Sequence, residues 1–96
     1  MRKEFEGNLK VSIVRTLMFE KNVSQKKLAE EVKISRQHLN LVLNKKADLR
    51  IGKCVKLAWA LGVGEESILT EEGLQELEEY REEINHYYEV MMSQGM

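Results

Sequence analysis

The sequence contains no proline, a single cysteine and no long run of apolar residues. Because Cys54 has no second cysteine to pair with, an internal disulfide and a multi-cysteine metal site are both excluded. No segment approaches the roughly 18 consecutive apolar residues that a membrane-spanning helix requires. Residues 1–7 are charged and have no apolar core behind them, so we expect no signal peptide and a cytoplasmic location.

Strict alternation of apolar and polar residues, the pattern of a half-buried strand, is also missing. Apolar residues instead recur at helical spacing, which predicts an all-α fold: a compact five-helix domain whose C-terminal helix is the longest. We expect one domain over residues 1–69 and an acidic C-terminal helix over residues 70–96. The predicted helices cover residues 8–21, 25–32, 36–44 and 50–61, and a last one that Thr70 caps.

Local signals refine these helices. In the first helix Leu9, Ile13 and Leu17 recur every four residues and predict its buried face. Ser24 and Ser35 precede the second and third helices and are natural N-cap residues. We assign Lys53 and Lys56, in the fourth helix, to a solvated face.

Charge is divided unevenly along the chain. Residues 1–64 carry 14 Lys and Arg against 6 Asp and Glu, whereas residues 65–96 carry one Arg against 10 Glu. The basic part has the electrostatic character of a domain that binds a polyanion. The acidic part would be repelled by phosphates, so it must serve another purpose.

Residues 24–46 read SQKKLAEEVKISRQHLNLVLNKK. This segment resembles the helix-turn-helix of the phage repressor/Cro-like (XRE-type) regulators, and the resemblance extends from Leu9 to about Leu69. It rests on the S-Q-x-x-L-A-x-x-V opening, the x-S-R-x-x-L entry to the third helix, and K-L-A-W-A-L-G-V at residues 56–63. The resemblance implies a small transcriptional regulator of bacterial or phage type that binds double-stranded DNA.

The chemistry of the third helix agrees with that implication. A helix fits the major groove of B-DNA, where side chains near its N-terminus reach the base edges. Arg36 and Gln37 carry the hydrogen-bonding forks that match guanine and adenine. Asn40, one turn later, reaches a base or a phosphate. We therefore predict base contacts from these three residues.

The resemblance also implies a set of phosphate contacts. Gln25 would bind a phosphate and brace the third helix, and Ser35 matches a position that commonly touches the DNA backbone. Contacts of this kind provide affinity and orientation but little sequence information. The predicted phosphate-binding residues are Gln25, Ser35, Asn44, Lys45 and Lys46.

Three positions depart from the family pattern. Lys33 stands in the turn where glycine is usual, and Lys45 replaces the usual glycine after the third helix. A non-glycine residue in the left-handed region costs about 1–2 kcal/mol, so the turn could be reshaped. Lys27 replaces the acid of a capping box. We expect these departures to leave the fold intact. They make the phosphate contacts of individual residues less predictable from the family pattern.

The C-terminal helix carries an apolar stripe at heptad spacing over about three heptads. We favour homodimerisation through this stripe; packing within the same chain and capture of another protein are the alternatives. Met18, Phe19 and Trp59 lie outside the expected core, and we expect the C-terminal helix, or a partner's copy of it, to cover them. The predicted dimer interface consists of Leu77, Tyr80, Ile84, Tyr87, Tyr88 and Met91.

The sequence therefore favours a homodimeric, repressor-type regulator on a palindromic operator. The alternative is an antitoxin-type protein whose acidic tail binds a protein partner; such proteins often bind an operator as well. An enzyme is disfavoured because no nucleophile–base pair, metal cluster or phosphate-binding glycine loop is present in the sequence. We predict no cofactor and no metal.

Overall fold

The computed structural model describes residues 7–94, without the side chain of Gln94. Most of the N-terminal segment for which we expected no signal peptide lies outside this range. The described residues form five α-helices and a 3-10 turn at Glu65–Ser67, as the all-α prediction requires. No helix among residues 7–94 has the length and apolar character to cross a membrane. The helices are α1 Val11–Lys21, α2 Gln25–Val32, α3 Arg36–Leu43, α4 Ile51–Leu61 and α5 Glu71–Gln94.

The first helix begins three residues later than predicted, because the chain before it pairs with a distant segment. Leu9 and Leu69 form an isolated antiparallel β-bridge. The backbone N–H of Lys10 donates to the Ile68 carbonyl at 2.8 Å, and that of Thr70 donates to the Asn8 carbonyl at 3.0 Å. The backbone groups of this segment are therefore satisfied by hydrogen bonds to a distant segment of the same chain, and not by a helix.

The buried face of α1 also differs from the predicted one. Val11, Val14 and Met18 are the buried residues of α1, whereas Ile13 is 38% exposed. Both sets fit helical spacing, but the predicted set was anchored on Leu9, which lies outside the helix. Met18 is thus a core residue, and the expectation that it lies outside the core was wrong.

The core forms around α4, which contacts α1, α2 and α5. Cys54 of α4 is fully buried. Burial, with smaller effects of Asp48 and Glu76, raises the pKa of its thiol to about 12. The largest fully buried side chains include Leu28, Leu39, Leu43, Leu49, Leu57, Leu61, Ile68 and Leu69.

Both predicted serine caps are present. The Ser24 hydroxyl accepts from the Lys27 N–H at 3.1 Å, and the Ser35 hydroxyl accepts from the His38 N–H at 2.9 Å. Lys33 and Lys45 adopt left-handed conformations with φ of 67° and 60°. The chain therefore keeps the backbone that glycine favours at both positions and tolerates the strain.

The start of α5 is built into the domain. Thr70 caps the helix by accepting from the Gly73 N–H at 3.1 Å, and its hydroxyl donates to the Gly7 carbonyl at 2.7 Å. Leu77 is 4% exposed and belongs to the core. The assignment of Leu77 to a dimer interface is therefore corrected. Leu77 lies in the second turn of α5, where the helix still packs against its own domain.

Beyond Leu77 every described side chain of α5 is exposed. An ion pair and an aromatic side chain link this part to the domain. The Arg81 guanidinium lies 3.7 Å from Glu65, which also accepts from the Trp59 indole N–H at 3.2 Å. The Tyr80 ring lies beside Gly52 of α4. Trp59 and Phe19 remain 67% and 88% exposed. We expected α5, or a partner's copy of it, to cover these two aromatic residues. The α5 helix of the same chain does not cover them.

Candidate nucleic-acid interface

The third helix presents one face to the core and the other to solvent. Leu39, Val42 and Leu43 are its buried residues, because a short amphipathic helix gains most of its stability by burying such a stripe. Arg36 and Gln37 occupy its exposed N-terminal turn. A helix that enters the major groove uses this end to contact base edges.

An open depression of about 520 Å³ lies at this end of α3 and is lined by Gln25, Arg36, Gln37 and Asn40. The structure thus brings the three predicted base-contacting residues to one surface. Gln25, the first residue of α2, borders the same depression. All four side chains carry hydrogen-bond donors, which suits a surface that meets the acceptor atoms of DNA.

Ser35 lies immediately before α3, and its backbone is extended. Because its hydroxyl accepts a hydrogen bond from His38, the hydroxyl proton points elsewhere and is available to a phosphate oxygen. The side chain is exposed. Helix N-termini also carry a partial positive charge that favours anions. The local geometry of Ser35 is therefore compatible with its predicted phosphate contact.

The other three predicted phosphate-binding residues follow the C-terminal end of α3. The Lys46 N–H donates to the Leu41 carbonyl at 2.9 Å, and the Lys45 N–H donates to the Val42 carbonyl at 3.1 Å. These two bonds form a Schellman motif, a common end of an α-helix. Asn44 and Lys46 are exposed, and Lys45 is half-buried. This group lies at the opposite end of α3 from Ser35.

Arg15 of α1 is a residue of this surface that sequence analysis missed. Its guanidinium donates to the Leu43 carbonyl through Nη2 at 2.7 Å and Nε at 3.1 Å, and to Asn44 Oδ1 at 3.2 Å. A cation is favourable at the negative C-terminal end of a helix. No local sequence signal marks this contact, because it joins residues 28 positions apart.

Lys53 of α4 hydrogen-bonds to the turn between α2 and α3. Its ammonium group donates to the carbonyls of Val32 and Lys33 at 3.3 Å and 3.2 Å. The assignment of Lys53 to a solvated face was therefore wrong. Because these carbonyls lie at the end of α2, where intrahelical partners run out, a donor from α4 satisfies them.

Comparison with known protein families identifies this arrangement. A family model described as helix-turn-helix matches residues 14–68, which is more than half of the chain. The chain belongs to the helix-turn-helix family. The resemblance to the XRE-type, Cro-like regulators is thereby confirmed. No curated protein and no solved structure gives a significant match.

The family match covers most of α1, all of α2 to α4 and the 3-10 turn. It places the chain among DNA-binding transcription regulators, a family that is generally non-enzymatic. The helix-turn-helix itself consists of α2, the turn at Lys33–Ser35, and α3. The match ends before α5, so membership of the family does not assign a role to the acidic helix.

Proposed function

We propose that the chain binds double-stranded DNA sequence-specifically, with α3 in the major groove. The observation that carries this proposal is the convergence of Arg36, Gln37 and Asn40 on one open depression next to Gln25. The arginine fork matches guanine O6 and N7, and the glutamine amide matches adenine N6 and N7. Arg36 and Gln37 therefore supply most of the base selectivity.

Phosphate contacts would then fix α3 in the groove. Ser35 and Gln25 lie at its N-terminal end, and Asn44, Lys45 and Lys46 lie at its C-terminal end. A helix held at both ends has a defined depth and orientation, which direct base contacts require. Because these contacts displace counterions, affinity falls steeply as salt rises.

The exposed part of α5 is proposed to form a homodimer. Tyr80 and Ile84 are each 37% exposed, and Tyr87 and Met91 are 63% and 49% exposed, along the part of α5 that follows Leu77. Most of the stability of a protein helix comes from packing its apolar face, so the apolar stripe of α5 favours a partner helix. Tyrosine suits such an interface because it buries a large area and keeps a polar tip. Of the predicted set, Tyr88 borders the stripe.

Two copies joined in this way would place two α3 helices on successive major grooves. Their separation would be about 34 Å, and the operator would be roughly palindromic. A dimer covering such a site in a promoter would exclude other proteins from it. Repression of transcription is therefore the regulatory effect that we propose.

Selection of bound sequences from a random DNA pool tests the proposal. We expect an inverted repeat whose half-sites are centred about 10 bp, or a multiple of that distance, apart. Enrichment of a single half-site would contradict the dimer but not base recognition. Recovery of DNA without any sequence preference would contradict base recognition by α3.

A second candidate function follows from the charge of the same helix. Arg81 and His86 are the only basic residue types in α5, against eight glutamates, and its C-terminal part exposes Tyr88 and Met92 at 60% and 76%. This combination fits a small basic protein, as in the antitoxin-type alternative. A 1:1 complex with a basic partner, formed at the expense of the homodimer, would favour this function over homodimerisation.

A further inference from the structure

Asn40 belongs to a chain of hydrogen bonds that begins on another helix. The Arg15 guanidinium of α1 donates to Asn44 Oδ1 at 3.2 Å. The Asn44 amide nitrogen in turn donates to the Asn40 backbone carbonyl at 2.9 Å and to Asn40 Oδ1 at 3.2 Å. Asn40 is also one of the four residues that line the depression at α3.

The chemistry of these groups fixes the direction of every bond. A guanidinium has only donors, so the Asn44 atom that faces Arg15 must be its oxygen. The Asn44 nitrogen then faces Asn40, whose backbone carbonyl is only an acceptor. The Asn40 side-chain atom that meets this nitrogen must likewise accept, and it is Oδ1. Reversing either amide would place two donors against each other.

We propose that Arg15 and Asn44 are positioning residues that make Asn40 a hydrogen-bond donor toward DNA. With Oδ1 held by Asn44, the two N–H groups of Asn40 Nδ2 are left to face the groove. They match the acceptors guanine O6 and N7, thymine O4 and adenine N7, and not cytosine, which presents only the donor N4 in the major groove. This inference rests on the proposed function, and it specifies which bases Asn40 selects.

The decisive variant is Asn44→Asp, which is nearly the same size and can only accept. Its carboxylate keeps Arg15 as a partner but turns Asn40 around, because only the Asn40 nitrogen can then face residue 44. In random-pool selection, wild-type protein prefers guanine over cytosine at one base position by roughly threefold to tenfold, the range expected for one hydrogen bond. Asn44→Asp reverses that preference toward cytosine, because the exposed Asn40 oxygen accepts from cytosine N4.

Two further variants separate orientation from charge and stability. Asn44→Ala removes the partner, so the preference at that position falls below about twofold while the other positions keep theirs. Asn22→Asp adds the same negative charge outside the hydrogen-bond network. It lowers affinity evenly and leaves every base preference in place. Melting temperatures of the three variants show that each is folded during selection.

The possible outcomes distinguish this inference from the proposed function. If Asn44→Asp and Asn44→Ala retain the wild-type preference at every position while Gln37→Ala loses one, the inference is overturned and base recognition by α3 stands. If wild-type protein selects no sequence, both are overturned. If one position reverses with Asn44→Asp and weakens with Asn44→Ala, the positioning role of Asn44 is established, and Arg15→Ala, which removes only the donor to Asn44 Oδ1, should weaken the same preference if Arg15 contributes to it.

Discussion

Gly73 lies so close to the backbone of Asn8 that a Cβ at residue 73 would overlap the Asn8 carbonyl oxygen. The same oxygen accepts a hydrogen bond from the Thr70 N–H at 3.0 Å. The first turn of α5 is therefore fixed against the segment that precedes α1. Although α5 lies outside the family match, its first two turns are part of the packed domain.

This contact predicts that Gly73→Ala destabilises the protein, although Gly→Ala in a helix usually stabilises by about 1 kcal/mol. Forcing a methyl group into a filled site costs about 1–3 kcal/mol. Gly52→Ala in α4 is the matched control, because its Cβ would lie 3.5 Å from the Tyr80 hydroxyl, an ordinary contact. Urea unfolding measures both. Equal changes in unfolding free energy would contradict the account of the Gly73 contact.

The two left-handed lysines predict a stabilising substitution. Lys33→Gly removes the cost of a left-handed backbone at a non-glycine residue, about 1–2 kcal/mol. Glycine also raises the conformational entropy of the unfolded chain, which offsets about 0.5–1 kcal/mol of this gain. The expected result is a net increase in unfolding free energy of about 0.5–1 kcal/mol. Lys56→Gly, in the exposed part of α4, also removes one lysine but should destabilise by about 1 kcal/mol. A loss of stability in Lys33→Gly would show that its turn is not strained.

The buried thiol predicts a chemical behaviour. Because burial raises the pKa of Cys54 to about 12, native protein at pH 8 should react with a thiol reagent only through unfolding. The unfolded thiol, at its ordinary pKa of 9.0, ionises first. The stability that the buried, protonated thiol provides is therefore fully present below pH 9 and is lost as pH rises from 9 to 12. Labelling of native protein as fast as of unfolded protein would contradict this.

Comparison of the wild type with Cys54→Ala separates the effect of the thiol from every other pH-dependent change in stability. The variant is expected to be less stable at pH 8, because a buried side chain is shortened. Its unfolding free energy should fall less between pH 9 and 12 than that of the wild type. Parallel curves for the two proteins would show that Cys54 does not contribute to alkaline destabilisation.

The proposed dimer predicts different effects for two adjacent methionines. Met91 continues the heptad stripe of Ile84, whereas Met92 lies off it and is 76% exposed. Met91→Glu should convert the dimer to a monomer, because a carboxylate would be buried at the seam. Met92→Glu adds the same charge and should leave the dimer in place. Sedimentation equilibrium distinguishes them, and monomers in both cases, or in neither, would count against this seam.

These point variants are better suited to the question than removal of the whole helix. A chain ending at Thr70 would lose Leu77, which is buried in the core, and the close contact of Gly73. Such a truncation would test folding as well as association. The boundary expected at residue 69 thus precedes two positions that pack with the domain.

The sequence predicts the helices well because their signals are local. Ser24 and Ser35 occupy cap positions, and the turn around Lys33 is recognisable although glycine is replaced. The missed features join distant parts of the chain. A periodic pattern does not predict the Arg15 contact with α3 or the Lys53 contact with the turn, because each depends on how helices cross. For the same reason it marks Leu77 as apolar but does not show that Leu77 is buried in its own domain.

The candidate site was predictable in composition but not in arrangement. Arg36, Gln37 and Asn40 were identified from their position at the start of α3, and the structure places them together with Gln25. The bonds from Asn44 to Asn40 were not foreseen. A side chain's type indicates what it could bind, whereas its neighbours decide which of its atoms is available.

Equilibrium binding of Gln37→Ala to selected and unrelated DNA tests whether α3 recognises bases. We expect a loss of roughly 1–3 kcal/mol on selected DNA and almost none on unrelated DNA. Gln75→Ala, the same change on an exposed position of α5, should alter neither. Equal losses for Gln37→Ala on both DNAs would mean that Gln37 contacts only the backbone, contrary to the account given for α3.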